Sequence, residues 1–280
     1  MTTTALVLGS GGQTGAAWEL GILAGLADEG IDLTDADTVV GTSAGSVVGA
    51  QIRAGVPVER LYADQLAPPT HEIAARIGVR FWLMVTAAVL RSSDPVRFRQ
   101  RIGVRALRAK TIPADRRREV VATRLPSRDW PERRLLIVAV DAVTGADAVF
   151  DRNSGVSLVD AVTASCAVPT IWPCTPIGGR RFMDGGLRSW ANADLAAGVD
   201  RVVVIAPMYR GGGPMRPVAE QVAMLRETAS VAVVVPDADS AAAMGGNVLD
   251  PSRRAPSAEA GRRQAAQVAQ DVRDVWMPAR

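Results

Sequence analysis

Two short apolar segments near the start of the chain each run into glycines and then into a stretch with helical spacing. The first is TALVLG (4–9), followed by a helical pattern at 16–30. The second is ADTVVG (36–41), followed by a helical pattern at 44–55. Strands that alternate with helices form parallel sheets, because each helix carries the chain back across the sheet. The opening of the chain therefore predicts an α/β fold with a central, mostly parallel sheet sandwiched between helices.

The same alternation resumes after residue 134, and the stretch before it is different. Residues 56–130 are rich in proline and arginine, which predicts a cap of short helices inserted into the α/β unit. No repeat or linker follows, so the sequence predicts a single domain over 1–280, with RGGGP (210–214) as a mobile loop. Further strands and helices are predicted at 135–140, 146–150, 158–168, 180–186, 201–207, 231–236 and 255–276.

Composition excludes several classes of function. Hydrophobic residues make up 48% of the chain and charged residues 22%, as in an ordinary globular protein. The net charge is only +3 and the arginines are scattered along the sequence, so nucleic acid is not expected as a partner. With one histidine and no CxxC spacing, no metal site is predicted, and Cys166 and Cys174 are expected to be free thiols. Oligomeric state is left open.

The longest apolar run is FWLMVTAAVL (81–90), between Arg80 and Arg91. It is shorter than the roughly 20 residues that cross a bilayer. It is interpreted as a buried helix or, alternatively, as a lid that contacts a membrane surface. The first residues do not have the pattern of a secretory signal, so a cytoplasmic location is expected, with peripheral membrane association left open.

GTSAG (41–45) lies where the second predicted strand gives way to a helix. Gly-x-Ser-x-Gly in this setting is typical of a nucleophile elbow, a sharp turn that lifts the serine hydroxyl above the sheet. Both glycines are needed because a Cβ would clash within so tight a turn. Ser43 is therefore the candidate nucleophile, and a merely structural tight turn is the alternative.

A serine needs a base to become a nucleophile. The single histidine, His71, follows Ser43 too closely for the Ser–Asp–His order of α/β-hydrolases, and the single lysine, Lys110, has no S-x-x-K context. Either the base is a carboxylate or Ser43 is not a nucleophile. Asp184 is the best candidate because RRFMDGG (180–186) ends a strand and enters a turn. Its ordinary pKa of about 3.9 predicts an ionised side chain at neutral pH, and a simple turn-forming aspartate is the alternative.

The glycine-rich loop after the first strand, LGSGGQTGAAW (8–18), offers backbone N–H groups for an oxyanion. Gly11 and Gly12 are the candidate donors, with Ser10 as a further candidate. A dinucleotide or phosphate loop is the alternative, but the spacing is G-x-G-x-x-x-G rather than G-x-G-x-x-G, and no Gly-Lys-Ser/Thr is present. No cofactor is predicted.

Taken in this order, the glycine-rich loop, GTSAG, DAVTG, ASCAVP and FMDGG resemble the landmarks of the patatin-like phospholipase family. The resemblance covers roughly 4–50 and 134–190. It implies a Ser43–Asp184 dyad, oxyanion donors at Gly11 and Gly12, and hydrolysis of lipid acyl esters through an acyl-enzyme without a metal. A lipid ester is thus the expected substrate.

One position departs from the family pattern. Thr14 stands where the family usually carries arginine or lysine, which puts a preference for anionic phospholipids in doubt. Two further hypotheses keep the fold: an acyltransferase that uses the same dyad, and a lipid-binding protein without catalysis.

Overall fold

The computed structural model describes residues 2–68, 75–209 and 213–277. Within these residues the chain forms eight β-strands and ten α-helices. The strands are β1 (Thr4–Leu8), β2 (Thr38–Thr42), β3 (Arg134–Asp141), β4 (Asp147–Phe150), β5 (Thr175–Ile177), β6 (Arg180–Asp184), β7 (Arg201–Ile205) and β8 (Ser230–Val234). The helices are α1 (Gly12–Asp28), α2 (Ala44–Arg53), α3 (Val58–Leu66), α4 (Val79–Leu90), α5 (Pro95–Arg108), α6 (Ala114–Ala122), α7 (Leu158–Ser165), α8 (Val218–Leu225), α9 (Ala238–Met244) and α10 (Arg254–Trp276).

All eight strands belong to one mixed sheet, in the order β5-β6-β3-β2-β1-β7-β8, with β4 paired to β3. The strands from β3 to β8 along this order run parallel, whereas β4, β5 and β6 are antiparallel additions at one end. The prediction of a mostly parallel central sheet is confirmed. The antiparallel end matters for function because β6 carries Asp184.

Helices cover both faces of the sheet. Helices α1, α2, α7 and α10 pack on one face and α8 on the other. Along β1, Leu6 and Leu8 join the larger hydrophobic cluster, and Ala5 and Val7 join the smaller one. Because both faces of such a strand are buried, it reads in sequence as a continuous apolar run.

The register of the sheet places Ser43 and Asp184 at the same level on the two sides of β3. On one side of β3, Thr42 of β2 pairs with Val138, so Ser43 follows at the level of Ala139. On the other side of β3, Asp184 pairs with Ala139 itself. Strands lie roughly 4.8 Å apart, so two side chains that flank β3 at the same level can meet above its end.

The described part of 56–130 consists of the four helices α3 to α6, as predicted for a cap. Helix α4 has two different sides. Met84 and Ala88 are buried in a small cluster with residues of α5, while Val79 and Leu90 are 71% and 81% exposed. Helix α4 therefore packs against the core on one side and is exposed on the other. Residues 69–74 and 210–212 lie outside the described residues. They include His71 and most of the predicted mobile loop RGGGP (210–214).

Three elements were not predicted from the sequence. Strand β5 has three residues and helix α9 has seven, so each is too short to show a period. Helix α8 follows Pro217 and has only eight residues. None of the described helices combines the length and the hydropathy needed to cross a bilayer.

Helix α1, which begins at Gly12 within the predicted glycine-rich loop, packs closely against α10. A Cβ on Gly21 would overlap the carbonyl oxygen of Ala258, and one on Gly25 would lie 2.5 Å from the carbonyl oxygen of Arg262. Trp18 adds a buried hydrogen bond of 3.1 Å from its indole N–H to Gln264 Oε1. The C-terminal helix therefore fixes the helix that carries the glycine-rich loop.

Replacing Gly21 with alanine should destabilise the protein by about 2 kcal/mol, because the added methyl group forces α1 and α10 apart against a backbone oxygen. The free energy of unfolding in urea measures the effect. Gly78→Ala is the matched control, since a Cβ there meets no atom within 4 Å among the described residues. Equal stability of the two variants would contradict the close packing of α1 and α10.

Candidate active site

Ser43 is the single residue between β2 and α2, and its backbone has φ 52° and ψ −111°. This conformation is strained for a residue with a side chain. A Cβ on Gly41 would lie 2.7 Å from the carbonyl oxygen of Gly45, and a Cβ on Gly45 would overlap the carbonyl oxygen of Leu8. The two glycines of GTSAG are thus required by close backbone contacts, as the sequence predicted.

Three side chains hold the strained peptide in place. The backbone N–H of Ser43 donates to Ser165 Oγ at 2.9 Å, at the end of α7. The carbonyl oxygen of Ser43 accepts from Ser46 Oγ at 2.6 Å and from Cys166 Sγ at 3.2 Å. Both backbone polar groups of the elbow are therefore satisfied, which offsets part of the strain.

The structure brings the two predicted residues together. Ser43 Oγ donates to Asp184 Oδ2 at 2.8 Å. The other carboxylate oxygen, Asp184 Oδ1, accepts from the backbone N–H of Gly186 at 2.8 Å. The N–H of Asp184 donates to the carbonyl oxygen of Ala167 at 3.0 Å, which ties the end of β6 to the loop after α7. The carboxylate is thus aimed at the serine by contacts on both of its sides.

The carboxyl group of Asp184 does not keep its ordinary acidity. Burial raises its pKa to about 6, against hydrogen bonds from Gly186 and Ser43 and the positive charge of Arg117, which favour the ionised form. The sequence predicted an ordinary pKa of about 3.9, because burial cannot be read from a turn motif. A pKa near 6 makes Asp184 a stronger base than a free aspartate while leaving it mostly ionised at neutral pH.

The glycine-rich loop lies beside Ser43, and its N–H groups differ in availability. Ser10 N–H donates to the carbonyl oxygen of Trp190 at 2.6 Å. The N–H groups of Gly11 and Gly12 have no acceptor in the described part of the chain, and Gly12 has φ +60°. Gly11 and Gly12 therefore remain the candidate oxyanion donors, and Ser10 is engaged elsewhere through its backbone.

Thr14, which replaces the family's basic residue, points into the interior. It is fully buried, and its N–H donates to the carbonyl oxygen of Val248 at 3.1 Å. Its hydroxyl has no partner among the described residues. The position contributes no charge to the site.

Two cavities open on Ser43. We call the first, of about 380 Å³, the basic cavity, because Arg117, Arg124 and Arg254 line it. We call the second, of about 240 Å³, the apolar cavity; Phe81, Trp82 and Val85 of α4 form part of its wall. The two cavities share four residues, Gly12, Ser43, Val168 and Leu249. The serine hydroxyl thus stands where two chemically different spaces meet.

Sequence reasoning missed several residues of this site. Ser165 and Cys166 lie in ASCAVP, which was recognised as a landmark, but no role followed from it. Arg117 lies in the cap, where no motif marks it; its buried guanidinium stacks 4.0 Å above the ring of Trp172. Cys166 and Cys174 are free, as expected, and both are buried.

Holding a metal ion requires several His, Cys, Asp or Glu side chains close together. Over the described ranges, no group of three or more His, Cys, Asp and Glu side chains is close enough to do so. His71, the single histidine, is outside those ranges.

The geometry agrees with a comparison against known families. The model of a family described as patatin-like phospholipase matches residues 6–197, which is more than half of the chain. The chain belongs to this family. Membership indicates a lipid acyl hydrolase, whose substrate the comparison leaves unnamed.

Solved structures of bacterial proteins are also similar to the chain. VipD from Legionella pneumophila is 11% identical with a TM-score of 0.44, and the match covers 96% of this chain and 66% of that one. ExoU from the type III secretion system of Pseudomonas aeruginosa, solved with SpcU, is 15% identical with a TM-score of 0.47, covering 98% and 53%. The chain spans about half to two thirds of the length of these proteins. No curated protein matches it.

The raised pKa of Asp184 predicts that ionisation of this carboxyl group lowers the free energy of unfolding. A carboxyl that binds its proton more tightly when folded makes the protein less stable as pH rises from about 4 to about 6, by about 3 kcal/mol in total. Asp184→Asn should therefore be more stable than the wild type at pH 8, and this advantage should shrink as pH falls through 6 to 4. Urea unfolding at several pH values measures it.

Asp141→Asn is the matched control. Burial disfavours the charge of Asp141, but hydrogen bonds from Thr144, Arg180 and Val143 outweigh it and hold its pKa below the ordinary value. The control should therefore be less stable than the wild type at pH 8. If Asp184→Asn were the less stable variant at that pH, Asp184 would not be a destabilising buried charge.

Proposed function

We propose that the protein is a serine hydrolase that cleaves carboxylic ester bonds of phospholipids or other lipid esters through an acyl-Ser43 intermediate. The observation that carries the proposal is the 2.8 Å hydrogen bond from Ser43 Oγ to Asp184 Oδ2, at the meeting point of two cavities. Family membership supports the same chemistry.

The first half of the reaction forms the acyl-enzyme. Ser43 Oγ attacks the ester carbonyl carbon while its proton passes to Asp184 Oδ2. The negative charge on the former carbonyl oxygen is stabilised by the N–H groups of Gly11 and Gly12. Collapse of this intermediate breaks the ester C–O bond, and Asp184 returns the proton to the departing alcohol. A pKa of about 6 suits this double role, since the group accepts and donates near neutral pH.

The second half repeats the steps with water. Asp184 takes a proton from water, the hydroxide attacks the acyl carbon, and the fatty acid leaves as the proton returns to Ser43 Oγ. An alcohol in place of water would give acyl transfer, with the same residues in the same roles.

Chemical labelling tests the nucleophile and the base. A fluorophosphonate probe should modify Ser43 of the wild type, with the adduct located by mass spectrometry. The labelling rate should rise with pH through about 6 and level off above it, because ionised Asp184 is the base. Asp184→Asn should lower the rate by about a hundredfold or more and remove this pH dependence.

Ser43→Ala is the control that should carry no adduct and hydrolyse no ester. If Asp184→Asn were labelled at the wild-type rate, Ser43 would still be the nucleophile but Asp184 would not be its base. A folded wild-type protein that binds lipid without any adduct would reject catalysis and favour the lipid-binding hypothesis. Hydrolysis assays with a competing alcohol separate hydrolase from acyltransferase.

We further propose that the cap contacts an anionic lipid surface. Val79, Leu83 and Leu90 lie on one face of α4, at spacings that repeat along a helix, and all three are exposed. The segment that contains α4 and α5 carries an excess of positive charge, although Arg99 is buried and paired with Asp147. Residues 79–110 carry one acidic residue, Asp94, against Arg80, Arg91, Arg97, Arg99, Arg101, Arg105, Arg108 and Lys110.

The opposite side of the same helix supports a link between docking and catalysis. Phe81 and Val85 line the apolar cavity that leads to Ser43. A bilayer seated on α4 would therefore be separated by this helix alone from the apolar cavity that Ser43 lines. Exposed apolar side chains beside cations are typical of such peripheral contacts.

Vesicle binding tests this surface. The double variant Leu83→Ser/Leu90→Ser should bind vesicles of phosphatidylcholine and phosphatidylglycerol at least about tenfold more weakly, since two leucines no longer enter the bilayer. Sedimentation with the vesicles gives the bound fraction. Met224→Ser is the matched control, an exposed apolar residue on α8, outside the cap. The proposed membrane contact would be rejected if both variants bound the vesicles equally well. It would also be rejected if binding did not depend on the phosphatidylglycerol in the vesicles.

A further inference from the structure

The hydroxyl group of Ser10 is a polar group without a partner in the part of the chain that the structure describes. The backbone N–H of Ser10 donates to the carbonyl oxygen of Trp190, but its Oγ is buried and makes no hydrogen bond to a described residue. The residue as a whole is 6% exposed. An unpaired buried hydroxyl costs free energy, so its presence in a folded protein calls for a physical reason.

This hydroxyl lies beside the carboxylate of Asp184. A Cβ on Gly186 would lie 2.8 Å from Ser10 Oγ and 3.0 Å from Asp184 Oδ1. Both oxygens therefore border the same small region next to Gly186, which a side chain at position 186 would fill. They are close enough to each other for one water molecule to bridge them.

The rest of the apolar cavity offers little to hold a water molecule. Among its described lining residues, the side-chain oxygen atoms belong to Ser10, Ser43 and Asp184. Cavities lined by apolar side chains stay dry, and a buried water molecule needs about two to four polar partners. The second half of the proposed reaction nevertheless requires a water molecule beside Asp184. Ser10 Oγ is the side-chain oxygen, besides those of the reacting pair, that can hold it there.

The position of Ser10 Oγ suits water better than an oxyanion. The carboxylate of Asp184 lies beside it, and a negative charge on the substrate oxygen would be repelled there. The N–H groups of Gly11 and Gly12 serve the oxyanion instead, since neither has an acceptor among the described residues. A neutral water molecule can donate one O–H to the carboxylate and the other to the hydroxyl oxygen.

Resting on the proposed ester hydrolysis, we propose that Ser10 Oγ holds the water molecule that cleaves the acyl-enzyme, and thereby favours hydrolysis over acyl transfer to an alcohol. The water donates one O–H to Asp184 and the other to Ser10 Oγ. Its oxygen attacks the acyl carbon while the first proton passes to Asp184. The bond between the acyl carbon and Ser43 Oγ then breaks, Asp184 returns the proton to Ser43 Oγ, and the fatty acid leaves. Ser10 keeps its own proton throughout.

Water and alcohols differ in what they can donate at this position. An alcohol has a single O–H, which goes to Asp184, so none is left for Ser10 Oγ. Removal of the hydroxyl therefore removes an interaction that water makes and an alcohol does not. The first half of the reaction is not affected in this way, because its attacking oxygen belongs to Ser43.

Product partitioning tests the proposal. A short-chain p-nitrophenyl ester is cleaved in the presence of methanol, and the free acid and the methyl ester are quantified by chromatography. Ser10→Ala should raise the ratio of methyl ester to free acid at least about tenfold, because the water loses a hydrogen bond. Its kcat/KM, which reports formation of the acyl-enzyme, should equal that of the wild type. This equality also shows that the variant is folded.

Ser240→Ala is the matched control, because it also removes the hydroxyl of a buried serine, one that donates to Gln264 Oε1 at 2.8 Å. It should change neither the product ratio nor kcat/KM. An unchanged product ratio in Ser10→Ala would overturn the proposal and leave the proposed hydrolysis intact. A lower kcat/KM with the wild-type ratio would also overturn it, since the hydroxyl would then serve the fold or the first half of the reaction.

Failure of the proposed function gives a different result. A wild type that yields neither product and no fluorophosphonate adduct forms no acyl-enzyme, which would overturn both proposals. A wild type that yields the methyl ester but no free acid would be an acyltransferase. In that case Ser43 would be acylated as proposed, and the assignment of a water molecule to Ser10 would be wrong.

Discussion

The strained backbone of Ser43 is the constraint on which the rest of the site depends. A side-chain-bearing residue at φ 52° is stable here because Ser165, Ser46 and Cys166 satisfy its peptide groups and two glycines let the chain pass. The conformation lifts the hydroxyl out of the strand direction, toward Asp184 on the far side of β3. Without the turn, the serine would remain within the sheet, and neither cavity would reach it.

Burial of the carboxylate has two consequences that oppose each other. It raises the pKa of Asp184 to about 6, which brings the group closer to the acidity that proton transfer at neutral pH requires. It also places a charge in a poorly solvated position, which weakens the folded state. Catalytic sites commonly combine these effects, since the features that make a group reactive are those that make it unstable. The close packing of α1 and α10 is one source of compensating stability.

The sequence predicted the parallel strands and the elbow, because each depends on a local pattern of a few residues. It predicted the pairing of Ser43 with Asp184 because other bases could be excluded and because the motifs resemble the family. It did not predict the roles of Ser165 or Arg117, since each acts through contacts with residues far away in the chain. Strand β5 and helix α9 have three and seven residues, which is too few to show a period. The acidity of Asp184 likewise follows from burial, which only the assembled sheet creates.

The position of β3 between β2 and β6 has a consequence for when Ser43 and Asp184 can meet. The two residues joined above β3 are 141 positions apart, and the strand between them comes from the middle of the chain. A growing chain therefore contains Ser43 long before it contains Asp184, which arrives only with β6. The proposed pair of Ser43 and Asp184 therefore cannot form in a chain that ends before β6.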